Sequence, residues 1–433
     1  MNAPLSTRRL FLQKGLALLA AAPTIPSFLD RTMMALADPL DVKRVQQPTG
    51  SDGRILVIVQ LSGGNDGLNM VIPYADDAYH RVRPGLAHNP DTVLKINSYM
   101  GLHPNLAPLK SLYDDGRMAV VQGVGYPNPN RSHFRSMDIW HSAAPEIEHP
   151  TSGWLGRYFD NSCSGVDPHV GISIGETMPL AMMGQRITPL SFDRPETYRY
   201  RGADTRTYLE LNRQDDAPAT QPATRAANSR RPAEPATESS EIEFLSRTAM
   251  DAQLSSDQIL KAAGQHKTKA TYPGGEFGNA LRTVSALIAG NLPTRVYYVS
   301  LGGFDTHAGE RGRHDQLMNQ LGQGLSAFNA DLREQGNEDR VLVMTFSEFG
   351  RRVEQNASGG TDHGAAAPMF IVGGGVRPGV VGRHPSLTDL DRGDLKHNVD
   401  FRAVYATLLQ NWLQSPSKPI LGQQYKLLDL VKA

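Results

Sequence analysis

Three stretches of this chain set carboxylates and imidazoles directly behind runs of β-branched residues. The first is Ser62-Gly63-Gly64-Asn65-Asp66-Gly67-Leu68-Asn69, and the second is Gly302-Gly303-Phe304-Asp305-Thr306-His307. The third is Ser347-Glu348-Phe349-Gly350-Arg351, followed by Gly359-Gly360-Thr361-Asp362-His363-Gly364. Asp305 and His307 are two apart, so an extended backbone turns both side chains the same way. Carboxylates with imidazoles are the donor set of zinc or manganese. Two neighbouring ions clamp the oxygens of a displacement at phosphorus or sulfur. Each stretch alone also fits a plainer role, because Asp and Asn behind strands make turns and cap helices. Their joint occurrence at the ends of several candidate strands is what points to a metal or polar active site.

A fourth stretch, Gly125 to Trp140, is dense in polar groups, and a helix is expected to begin near Ser132. A helix N-terminus beside Arg131 and Arg135 suits an anionic ester group. Ser132 is the candidate nucleophile, activated by a metal. The plainer reading makes Ser132 a helix cap and the two arginines surface ion pairs. The stretch is unlike a Gly-x-Ser-x-Gly elbow, which disfavours an ordinary serine hydrolase.

These residues must be positioned by a sheet. Arg54 to Leu61, Met118 to Val124, Arg295 to Leu301, Val341 to Phe346 and Met369 to Val372 read as buried strands, with His169 to Ile174 a weaker one. Apolar stripes mark helices between them: Leu106 to Tyr113, Leu317 to Leu332, and Phe401 to Leu413 behind a capping Asp400. Alternation of this kind predicts an α/β sandwich, a mostly parallel central sheet with helices on both faces. Residues 214–241, rich in Ala, Pro, Thr, Ser, Arg and Glu, read as a linker or insertion within one domain spanning 38–433.

The chain has 433 residues, with 44 Lys+Arg against 44 Asp+Glu, so no basic footprint for nucleic acid is present. One cysteine, Cys163, excludes an internal disulfide and a cysteine-based structural zinc site. Thr7-Arg8-Arg9-Leu10-Phe11-Leu12-Gln13 resembles the twin-arginine export consensus. A short apolar stretch, Gly15 to Ala22, and the small-x-small site Ala35-Leu36-Ala37 follow it. The expectation is a signal peptide over 1–37, the twin-arginine translocase as export partner, and a periplasmic or extracellular destination. No later run is long enough for a permanent membrane helix.

With these motifs in place the chain resembles the bacterial domain-of-unknown-function 1501 family. The matching stretches are Leu61 to Asn69, Gly101-Leu102-His103-Pro104, Gly125 to Trp140, Gly153-Trp154-Leu155-Gly156-Arg157, Gly302 to His307 and Ser347 to Gly364. The resemblance implies an alkaline-phosphatase-like or sulfatase-like fold with a two-metal site at one sheet edge. It implies Asp66 as an aspartate of one metal, Asp305 and His307 as ligands of the other, and Ser132 as nucleophile. Its Asp-His-Gly motif has two counterparts, Asp362-His363-Gly364 by residue type and Ser347-Glu348-Phe349-Gly350 by position. In the second, Glu-Phe stands where Asp-His is expected, so one imidazole ligand is missing. His384 and His397 are the candidates for a last metal-binding histidine.

The leading expectation is therefore an exported hydrolase of phosphate or sulfate esters, acting on a small-molecule or glycan ester. One or two divalent ions (zinc, manganese or calcium) would be held by Asp66, Asp305, His307, Asp362 and His363. Glu348 would be ligand or base, and Arg131 or Arg135 would bind the anion. The alternative is a non-catalytic periplasmic or surface binding protein on the same fold. A redox enzyme has no supporting motif, neither Gly-x-Gly-x-x-Gly after a strand nor a cysteine cluster.

Overall fold

The computed structural model describes residues 53–163, 167–198 and 255–432. The expected signal peptide and the expected insertion at 214–241 lie outside them. The account below concerns the unit formed by Asp41–Arg194 and Ala262–Ala433; residues 195–198 and 255–261 belong to a second unit.

Eleven strands position the site: β1 (Ile55–Ser62), β2 (Met118–Gly125), β3 (Gly171–Ile174), β4 (Leu190–Phe192), β5 (Val296–Gly302), β6 (Val341–Phe346), β7 (Arg351–Gln355), β8 (Thr361–His363), β9 (Ala367–Gly373), β10 (Gly379–Val381) and β11 (Val399–Asp400). The main sheet runs β10-β2-β9-β6-β1-β5-β3-β4, and β11 also pairs with β2. Strand β1 lies at its centre, parallel to β5 on one side and β6 on the other. A central strand has no solvent face, which is why Ile55 to Leu61 is buried throughout and reads as an unbroken apolar run.

One strand departs from the expected direction. β9 is antiparallel to both β2 and β6. The cause is the connection before it. A parallel return needs a crossover to the opposite end of the strands, usually a helix. Between β6 and β9 the chain instead makes the β7–β8 hairpin. It re-enters the sheet from the same end of the strands, so β9 must run backwards. The same detour brings His363 back over the carboxyl ends of the parallel strands.

Helices α1 (Ala107–Asp114), α2 (His133–Ser142), α3 (Trp154–Ser162), α4 (Glu276–Ala289), α5 (Glu310–Glu334) and α6 (Phe401–Thr407) cover the sheet. Asp400 caps α6 by accepting the Arg402 backbone N–H at 2.9 Å, as its position predicts. The stripe beyond α6 continues to Trp412 as one π-type turn rather than as α-helix. Leu56 and Ile58 share a core with Trp140, Trp154 and Tyr405, in which the Trp154 and Tyr405 rings stack at 4.2 Å. α4 packs on β5 and on α5, and α5 in turn packs on α1. Among the described residues no helix is long and apolar enough to cross a membrane.

Candidate metal centre

In an open α/β sheet, loops at the carboxyl ends of parallel strands form the ligand crevice. Here the loops after β1, β2, β5 and β6 meet there. Gly63 and Gly64 turn the chain out of β1 at φ +118° and +76°. A Cβ on Gly64 would lie 2.2 Å from the Phe349 ring, and one on Gly63 would lie 2.5 Å from the Asp305 nitrogen. The loops after β5 and β6 therefore close tightly over a bare backbone.

Four side chains converge above them. His363 Nε2 lies 2.9 Å from His307 Nε2 and 3.1 Å from Asp305 Oδ1, and His307 Nε2 lies 3.0 Å from that same oxygen. His133 Nε2 approaches the other Asp305 oxygen at 3.6 Å. The outer nitrogens fix the tautomers. His363 Nδ1 lies 2.8 Å from the Arg131 carbonyl and His133 Nδ1 lies 2.8 Å from Glu348 Oε1, so both Nδ1 atoms donate. In neutral imidazoles that leaves the Nε2 lone pairs turned inward at the carboxylate. An imidazole anchored by its far N–H is the usual support of a metal ligand. The donor set therefore fits a divalent cation.

Glu348 is buried beneath His133 and also accepts the Gly63 N–H at 2.9 Å. Its geometry is that of a support rather than a ligand. Phe349 is buried too, its ring centre 4.9 Å from that of His133 and 4.5 Å from that of His363. The Glu-Phe pair thus supplies an anchor and an apolar floor, and the missing imidazole enters from α2 as His133. Sequence reasoning did not assign His133 a role. Its signal was a histidine in the first turn of a helix that follows a strand.

Asp305 is half-exposed. Its partial burial favours the neutral acid, but Arg351, His363 and His307 outweigh this and hold its pKa down to about 2. Arg351 is buried and donates to five acceptors: Gly64 O at 2.6 Å, Thr361 O at 2.8 Å, Gly63 O at 2.5 Å, Phe304 O at 2.9 Å and Asp305 Oδ1 at 2.8 Å. Asp362 stands behind His307, 3.6 Å from its Nδ1, and accepts a hydrogen bond from Asn356 that lowers its pKa.

The remaining expected residues lie apart from the four. Asp66 is fully buried rather than presented at the sheet edge, paired with Arg83 at 2.5 Å. Arg83 also donates to the Val353 and Arg352 carbonyls at 2.7 Å each. Asp66 faces Glu310, and neither Asp66 Oδ1 nor Glu310 Oε1 has another partner, which a shared proton reconciles. Burial and the Asp66 charge push Glu310 up to about 9, so Glu310 carries that proton. The Arg131 guanidinium grips Asp394 at 2.6 and 2.8 Å, and Arg135 donates to the carbonyls of Pro145, Ile147 and Glu148. Arg131 is thus ion-paired, while Arg135 is held by backbone carbonyls. Ser132 occupies the cap position of α2, exposed and without a capping side-chain bond, between the Arg131 carbonyl and His133. His384 hydrogen-bonds the Pro385 carbonyl, and His397 lines a different cavity.

A second group, His88, His103 and Asp315, is closed to a cation. His103 Nδ1 accepts the Asn105 N–H at 3.0 Å, so its Nε2 carries the proton, donated to Asp315 at 2.8 Å. No His103 lone pair is left over.

Residues 54–432 match the family described as "Protein of unknown function (DUF1501)". The chain belongs to this family. No curated protein matches it. Among solved structures it is similar to a protein in the alkaline phosphatase superfamily from Vibrio parahaemolyticus, at 9% identity and TM-score 0.35, covering 92% of this chain and 77% of that one. It is also similar to the PsFucS1 sulfatase from Pseudoalteromonas sp., at 8% identity and TM-score 0.35, covering 93% and 75%. A third is the phosphonate monoester hydrolase SpPMH from Silicibacter pomeroyi, at 12% identity and TM-score 0.32, covering 86% and 78%. The mixed sheet with helices on both faces is the α/β architecture expected for this DUF1501 chain.

Proposed function

We propose that this protein is an exported, metal-dependent hydrolase of phosphate or sulfate esters. The observation that carries the reading is the pair of histidines, His133 and His363, anchored by Nδ1 and turned by Nε2 onto Asp305. When bound, a zinc, manganese or calcium ion supplies Lewis-acid polarisation of an ester oxygen. Ser132 lies between residues tied to the centre, with its hydroxyl free of any capping bond. It is the nucleophile of this proposal: Oγ attacks phosphorus or sulfur and its proton goes to the departing ester oxygen, and water then cleaves the seryl ester, releasing phosphate or sulfate and returning a proton to Oγ. The anion meets the first-turn N–H groups of α2, since Arg131 and Arg135 are engaged elsewhere. The twin-arginine motif at Arg8 and Arg9 supports export through that translocase to the periplasm or cell exterior.

The engagement of both arginines favours a second reading, a non-catalytic binding protein on the same fold. Metal-loaded protein assayed against a panel of phosphate and sulfate esters separates the two. Turnover abolished in Ser132→Ala, with metal content unchanged, supports the hydrolase. Metal-loaded protein that turns over nothing sinks it.

A further inference from the structure

We infer that the centre takes a single divalent cation on the face formed by Asp305, His307 and His363, and that Arg351 supplies the positive charge a second cation would bring. The inference rests on the metal-dependent reading above.

The spacing of the donors is the first argument. His307 Nε2, His363 Nε2 and Asp305 Oδ1 form a triangle with edges of 2.9, 3.0 and 3.1 Å. Donors about 2.1 Å from one octahedral cation are about 3.0 Å apart when they are cis. His133 stands off that face, its Nε2 3.6 Å from the other Asp305 oxygen.

The second argument is the inventory of what remains. Two ions of a pair sit about 3.5–4 Å apart, and each needs its own donors. Glu348 is committed to His133 and the Gly63 N–H, and Asp66 to Arg83. Among the described residues this leaves Asp362, already bonded by Asn356, and His133, held on Glu348, which together fall short of a second full donor set.

Arg351 is the third argument. In a paired site a carboxylate between two ions carries both. Here Asp305 Oδ1 accepts from the buried Arg351 guanidinium at 2.8 Å. That guanidinium is locked by four carbonyls and has no room to swing away. Three carboxylates, Asp305, Asp362 and Glu348, then balance one arginine and one dication.

The test is manganese titration of the folded wild-type protein, with bound ion counted by elemental analysis and the spectrum read by electron paramagnetic resonance. One ion per chain is expected, with the six-line signal of an isolated ion. Asp362→Ala should keep that ratio, and Asp305→Ala should lose the ion. Where Arg351→Met folds, it should bind manganese more tightly, by about tenfold or more, because a repelling charge is gone. Two spin-coupled ions in the wild type, falling to one in Asp362→Ala, overturn the inference and leave the hydrolase reading standing. A ratio of zero overturns both.

Discussion

Glu348, only 1% exposed, accepts a hydrogen bond at 2.8 Å from Nδ1 of the partly exposed His133. A buried carboxylate thus orients the one imidazole of the centre that comes from a helix. Glu348→Ala should weaken metal binding by about 10–100-fold, the usual effect of losing such a support. Glu348→Gln keeps an acceptor for His133 and should fall between the two. Competition against a chelator measures both. Equal affinity in wild type and Glu348→Ala would remove Glu348 from the centre.

Asp66 is fully buried against Arg83. Removing its carboxylate leaves the buried Arg83 charge unpaired, which costs about 3–5 kcal/mol. Asp66→Ala should therefore lower the urea midpoint strongly, yet the fraction that folds should keep its metal. Loss of metal in folded Asp66→Ala would restore Asp66 as a ligand.

The proton on Glu310 has a pH signature. An unfolded Glu titrates near 4.5, and in the fold burial and Asp66 raise this to about 9. The folded state then holds a proton that the unfolded chain releases, so this contribution is full below pH 4.5 and is lost as pH rises towards 9. Glu310→Gln keeps an acceptor for the Thr361 hydroxyl and a donor for Asp66. Its stability relative to wild type should improve steadily from pH 5 to pH 8, measured by urea unfolding. A constant difference across that range would show that Glu310 is not protonated.

Buried histidines act in the opposite sense. Burial holds His141 down to about 3, and burial with neighbouring charges holds His88 and His103 near the same value. Unfolded, each titrates near 6.5. Their contribution is full above that pH and is lost as pH falls towards 3, at about 1.4 kcal/mol per pH unit for each histidine. His141→Gln should flatten the decline in stability between pH 6 and pH 4. An unchanged slope would mean that another group sets it.

The sequence by itself determined the strands of the sheet and the loops that carry the candidate donors. Unbroken apolar runs such as Ile55 to Leu61 are required of strands buried on both faces, and they are local in the chain. The Asp305-x-His307 spacing likewise put two donors into one loop, although Asp305 lies in a tight turn closed by the Thr306 N–H on the Phe304 carbonyl rather than in an extended segment. Which residues met them was decided only by the tertiary structure. Asp66 and Asp305 follow parallel neighbouring strands in similar glycine-rich turns, yet one is sealed against Arg83 and the other opens onto three imidazoles. Apart from His307, which shares the turn with Asp305, the difference lies in partners 17 to 172 residues away along the chain, which neither turn encodes. His133 joined because α2 starts where the β2 loop ends, and His363 because a hairpin forced β9 to run backwards. Long-range packing fixed the direction of each charge, and with it the division between scaffold and centre.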